Sequence, residues 1–244
     1  MKAIVQTIRG GIASALWLMG APFITTWAAF TTQTRDSACA LVGAHFRRFL
    51  RRCRIEVKID GTPPPEGTGA IVCYNESSFA DVAAFGMIMW DYVDRVAAAD
   101  LYAFLPFGRR LARKAQIEMV PRGNRNGTDE LIERIVGKVQ GGERMAWGGE
   151  GHLVGIDGVG HFKRGACIVA IRAQVPIVPV TYYGGHKAMP FPTVRARPGT
   201  IHVRFGTPIS TVGLTEDDAR DLADKVQAIV SQTYEEMRHE AGDA

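Results

Sequence analysis

Residues 69–89 read Gly-Ala-Ile-Val-Cys-Tyr-Asn-Glu-Ser-Ser-Phe-Ala-Asp-Val-Ala-Ala-Phe-Gly-Met-Ile-Met. The apolar run Gly69–Tyr74 has the length and content of a buried strand. Asn75 and Ser78 fix a polar turn, and Val82–Met89 predicts a helix directly after it. A buried strand that feeds a helix through a polar turn is the building unit of an α/β chain, whose functional loops follow the strand ends.

The pattern repeats outward from this stretch. Apolar runs near 54–59, 94–98, 116–120, 144–147, 177–182 and 201–205 read as further short strands. Helical patterns lie between them at 80–90, 106–114, 128–140, 164–173 and 216–238, with one apolar stripe through Leu131, Ile135 and Val139 and another through Leu222, Val226 and Val230. The expectation is an α/β fold: a single domain with a mostly parallel central sheet flanked by helices. The chain has 244 residues, 46% of them hydrophobic and 22% charged, which suits one globular domain and shows no second catalytic one.

The first 55 residues differ in character. No charged residue lies between Arg9 and Arg35, and the stretch is long enough for a membrane segment, for which ~20 residues suffice. Gly20, Pro22 and the threonines at 25, 26, 31 and 32 weaken a straight spanning helix. A cleaved signal peptide is the competing reading, and no clear cleavage site supports it. Next come Arg47, Arg48, Arg51, Arg52 and Arg54, interleaved with Phe46, Phe49 and Leu50, as in a basic amphipathic helix on an anionic interface. A solvated face of a packed helix is the alternative. Residues 1–55 are therefore expected to be a membrane-associated helical segment and 56–244 the α/β domain, with Asp60–Gly67 as turn chemistry just inside it. No helix-turn-helix or RNA-binding motif accompanies the net charge of +4, so a nucleic-acid partner is not expected. Cys39, Cys53, Cys73 and Cys167 lack metal-ligand spacing and read as reduced structural cysteines of a cytosol-facing protein; Cys73, in a strand, fits core packing better than nucleophilic attack.

Asn75-Glu-Ser-Ser-Phe-Ala-Asp81 resembles the first motif of the glycerolipid (lysophosphatidic acid type) acyltransferases, Asn-His-x-Ser-x-x-Asp, with Glu76 where that family has histidine. Asp100-Leu101, Pro106-Phe-Gly108 and Val120-Pro-Arg122 are similar to its second block, Gly149-Glu150-Gly151 and Phe162–Ala166 to its third, and Val175–Val180 to its fourth. The resemblance covers nearly the whole chain. It implies transfer of a fatty acyl group from acyl-CoA or acyl carrier protein to the hydroxyl of a lysolipid-like acceptor. It also implies a site on the cytoplasmic face of the inner or plasma membrane, with membrane lipid as partner and no cofactor or metal, because the thioester is already activated. An ester or thioester hydrolase, a transferase for a non-phosphate acceptor, and a non-catalytic lipid-binding relative remain as alternatives.

By this resemblance Glu76 is the base or its stand-in and Asp81 its partner, while Arg122 and Glu150, with Gly151, bind the acceptor. A solvated glutamate has a pKa of about 4.3, so Glu76 needs burial or a second carboxylate nearby to accept a proton near neutral pH. Capping of the following helix is its other reading. His152 and Asp157 repeat the separation of the family's His–Asp pair and form a second candidate dyad, which coincidence also explains. Where the family's third block has an arginine for the acceptor phosphate, this chain has Leu153, which cannot donate a hydrogen bond. Lys163 and Arg164 are cations that could contribute, or simply face solvent.

Overall fold

The computed structural model describes residues 2–99, 103–121, 125–193 and 195–243, and side chains from residue 8 onward except at 125–128. A helical hairpin, α1 (Lys2–Thr31) and α2 (Arg35–Cys53), leads into β1 (Ile55–Asp60) and β2 (Ala70–Tyr74). Then follow α3 (Phe79–Ile88), β3 (Arg95–Ala99), α4 (Gly108–Lys114), β4 (Ile117–Val120), α5 (Arg125–Gln140) and β5 (Arg144–Gly148). The chain continues through α6 (Gly165–Ala173), β6 (Ile177–Tyr183), the short α7 (Gly185–Ala188), β7 (Gly199–Phe205) and α8 (Ala219–Glu240).

The strands form one seven-stranded sheet in the order β1-β7-β6-β2-β5-β3-β4. Neighbours run parallel, as expected, except β6 and β7, which pair antiparallel. Every strand read from the sequence is present to within two residues. β2 lies between β5 and β6, with Tyr74 beside both Gly148 and Val180, so the loops leaving all three strands share one edge of the sheet.

Strand alternation divides the core. Ala70, Val72 and Tyr74 face α2 and α3, together with Trp17 of α1, Phe49 and Phe85. Ile71 and Cys73 face α5, α6 and α8 with Ile135, Cys167 and Val226. All four cysteines are free and buried, and burial pushes the Cys73 thiol well above its ordinary pKa. That fits core packing and not a nucleophile.

The N-terminal helices lie antiparallel. Arg9 Nε donates to the Arg52 carbonyl (2.9 Å), His45 Nε2 meets the Trp17 carbonyl (3.1 Å), and Trp17 stacks on Phe49 with centroids 4.6 Å apart. α1 runs unbroken through Pro22. α4 holds the C-terminal end of α1, with Arg110 Nε donating to the Ala29 carbonyl (2.8 Å) and Lys114 to the Thr32 carbonyl, while the adjoining Thr32 Oγ1 donates back to the Ala28 carbonyl. The opposite face of α1 is bare. Ile8, Ile12, Leu16, Met19, Phe23, Trp27 and Phe30 recur at spacings of three and four, and each is exposed. Ile8–Thr31 is long and apolar enough to cross a membrane by length and composition.

Candidate active site

The chemistry collects where β2, β5 and β6 end. Asn75 is fully buried, and its side chain pairs with the backbone of Tyr182: Nδ2 donates to the carbonyl (3.1 Å) and Oδ1 accepts from the N–H (2.8 Å). It therefore clamps the end of β2 to β6 and has no polar atom to spare for a substrate. Ser78 is the N-cap of α3, accepting from the N–H groups of Ala80 (3.2 Å) and Asp81 (3.4 Å). Asp81 completes a reciprocal cap. Its Oδ2 accepts from the Ser77 N–H (3.0 Å), the Ser77 hydroxyl (2.8 Å) and the Ser78 N–H (3.0 Å). Its Oδ1 is buried without a hydrogen-bond partner among the described residues and lies so close to Gly185 that a Cβ there would fall 1.7 Å away.

Glu76 projects from the turn that these bonds hold. Burial, then the nearby carboxylates of Glu150 and Asp81, push its pKa from the ordinary 4.5 to about 8, while a hydrogen bond from Tyr74 pulls the other way. Both groups sit over Gly148: a Cβ on that residue would lie 3.6 Å from Glu76 Oε2 and 3.7 Å from the Tyr74 hydroxyl. As a whole residue Glu76 is half-buried, and burial of its carboxyl is the largest cause of the raised pKa. Capping is the work of Ser78 and Asp81. Asp81 directs its hydrogen bonds to Ser77 and Ser78 and acts on Glu76 as a nearby like charge, the second carboxylate that a raised pKa requires, while Tyr74 hydrogen-bonds to Glu76.

Glu150 is 1% exposed. Oε2 accepts from the Glu76 N–H (2.7 Å) and Oε1 from the Gly160 N–H (2.8 Å), and burial still raises its pKa to about 7. It builds the wall of the site and does not stand open to an acceptor. The loop after β5 is also laced to the turn by backbone bonds, Val154 N–H to the Glu76 carbonyl (3.2 Å) and Gly155 N–H to the Ser77 carbonyl (3.1 Å). Gly151 has a φ of +70°, which suits glycine, and a Cβ there would lie 3.2 Å from the Lys163 ammonium. Lys163 is thus a cation at the mouth of this loop.

The second dyad does not form. His152 is exposed, and its Nδ1 meets the Glu150 carbonyl oxygen (3.0 Å). Asp157 instead accepts from Tyr234 (2.9 Å) and Arg238 (2.7 Å) and lies 3.0 Å from His186 Nε2. Its partners come from α7 and α8, far away in sequence, which spacing cannot reveal. Arg122, assigned to the acceptor, and Asp100-Leu101 of the second block lie outside the described residues. Among the described residues, no group of His, Cys, Asp and Glu is arranged to hold a metal ion.

An α/β sheet carrying this turn against a buried glutamate of the loop after β5 defines a class. The chain belongs to the Acyltransferase family, whose sequence profile matches residues 54–183. Among individual relatives, it is 27% identical over 179 residues to the putative 1-acyl-sn-glycerol-3-phosphate acyltransferase acl-2 of Caenorhabditis elegans, covering 72% of this chain and 62% of the relative. It is 39% identical over 83 residues to the probable 1-acyl-sn-glycerol-3-phosphate acyltransferase of Mycoplasma pneumoniae, 31% of each chain. The match thus spans less than two thirds of either relative. In fold it is similar to the crystal structure of the 1-acyl-sn-glycerophosphate (LPA) acyltransferase PlsC from Thermotoga maritima, with a TM-score of 0.74 and 18% identity over 96% of this chain and 98% of that one.

Proposed function

We propose that this chain is an O-acyltransferase that moves a fatty acyl group from a thioester, acyl-CoA or acyl carrier protein, to the hydroxyl of a lysolipid-like acceptor. The observation that carries this reading is the Glu76 carboxyl: set over Gly148 where β2 and β5 end, hydrogen-bonded by Tyr74, and raised to about 8 by burial and its neighbours. A base of that strength takes the acceptor hydroxyl proton near neutral pH. The acceptor oxygen then attacks the thioester carbonyl, the new C–O bond forms, the C–S bond breaks, and the proton held by Glu76 passes to the leaving thiolate. The chain's known relatives by name act on 1-acyl-sn-glycerol-3-phosphate. Leu153 in place of an arginine and the three carboxylates at the site favour an acceptor whose head group is less dependent on a phosphate grip there.

Docking on the cytoplasmic face of a membrane is part of the same reading. The exposed apolar stripe of α1 leads to Phe30, which packs edge-on to the exposed Phe107 (4.7 Å). One face of α1 is held by α2 and α4, and the other has the composition of an interfacial anchor.

The test is incubation of the purified full-length protein with labelled acyl-CoA or acyl carrier protein, with lysophosphatidic acid, with a neutral lysolipid, or with neither. A labelled diacyl product supports transfer and identifies the head group. Free fatty acid formed equally without acceptor converts the reading to a hydrolase, and no consumption of either donor refutes it.

A further inference from the structure

Beside the N-terminal end of α1 an open cleft of about 520 Å³ is lined by Arg9, Ala44, Arg47, Arg48, Arg51 and Arg52. Arg9 is fixed there by its bond to the Arg52 carbonyl. Five guanidinium groups around one concavity repel one another unless an anion is supplied. The protein supplies none: among the described residues no Asp or Glu forms an ion pair with any of the five, whereas Arg95, Arg144, Arg172, Arg204 and Arg238 all have carboxylate partners. Part of the charge has a local explanation, since Arg51 and Arg52 sit in the last turn of α2, where cations complement the helix dipole. That effect fades within one turn and does not account for Arg9, Arg47 or Arg48.

We propose that this cleft binds the phosphate of an anionic phospholipid head group. Guanidinium forks match phosphate oxygens bidentately, and several in one cleft hold such a group without a metal. The lipid source follows from position. Arg9 lies between Ile8 and Ile12, where the exposed apolar stripe of α1 begins, and the paired helices place the arginine face of α2 alongside it. A phospholipid in the leaflet that receives the stripe presents its phosphate at the level of the cleft. The inference deepens the membrane-docking reading above and is independent of the acyl-transfer chemistry.

The experiment is sedimentation of the purified full-length protein with vesicles of phosphatidylcholine alone or mixed with phosphatidylglycerol, read as the ratio of the two partition coefficients. Each arginine at the interface is worth roughly fivefold in binding to an anionic surface, so R47Q/R48Q should reduce the ratio roughly 25-fold. The control K138Q/K225Q removes two exposed charges from α5 and α8, and should change the ratio by less than about threefold. Circular dichroism confirms that each variant is folded. An unchanged ratio for R47Q/R48Q overturns the proposal, as does an equal loss in the control, which would assign the preference to net charge. If R47Q/R48Q keeps the wild-type ratio but raises KM for acyl-CoA in detergent, the cleft serves the phosphates of the donor instead. Loss of binding to both kinds of vesicle by wild type would refute the docking reading itself.

Discussion

Replacing Glu76 by glutamine preserves the shape of the side chain and removes the proton acceptor. A positioned general base contributes about 10²- to 10⁴-fold, so kcat should fall by that factor near pH 8. Burial is the largest cause of the raised pKa, followed by Glu150 and Asp81. With a midpoint near 8, only about a tenth of the enzyme is ionised one pH unit lower, and the wild-type rate should climb about fivefold over that interval and about twofold more before levelling. The same shift makes stability depend on pH. The folded state holds its proton between the ordinary 4.5 and about 8 while the unfolded chain releases it, so stability is highest below the lower value and declines until the upper one. At about 1.4 kcal/mol per pH unit the loss is bounded by about 5 kcal/mol, and partial solvent access makes it smaller. Glu76→Gln escapes this loss, so its Tm should rise relative to wild type as the pH increases. The assays are a pH–rate profile of acyl transfer and thermal unfolding across the same range. Activity of the glutamine variant within about threefold of wild type would refute the base assignment. Parallel Tm curves would refute the claim that burial sets the pKa.

Tyr74→Phe removes the hydrogen bond that favours ionised Glu76, so the midpoint of the pH–rate profile should move up by about one unit and the rate near pH 7 should fall about tenfold, with the plateau at higher pH retained. His152→Ala should change activity by less than about twofold, because the ring is exposed and meets a single carbonyl; abolition of activity would transfer the base assignment to His152. Gly185→Ala places a methyl 1.7 Å from Asp81 Oδ1 and forces α7 or the cap of α3 to shift, which should cost about 1–3 kcal/mol by thermal unfolding together with most of the activity.

The strands were legible because each is a compact apolar run bounded by turn residues. Direction was not. Ile201, Val203 and Phe205 alternate inward in β7 as they would in either orientation, and periodicity does not register that, among the described residues, the segment after β6 contains only the four-residue α7. Such a connection lacks the full crossover helix that parallel neighbours use, and the strand returns antiparallel. At the site, Glu76 was visible as the letter that departs from a family motif, whereas Tyr74 passed as the last residue of an apolar strand. The available signal was their spacing: residues two apart on extended chain project to the same side. The role of Asp81 in tying Ser77 and Ser78 depends on the local cap, and the partners of Asp157 on the docking of α8.

The backbone bonds from Val154 and Gly155 to the carbonyls of Glu76 and Ser77 make no demand on side chains. His152, Leu153, Val154 and Ile156 are thus open to substitution while the turn beside them keeps its position, whereas Gly155, with a φ of +70° and a Cβ position 2.5 Å from the Phe191 ring, is held to glycine. Under the proposed function, a change of head-group preference at Leu153 then leaves the turn that carries Glu76 in place, so the two properties can evolve separately.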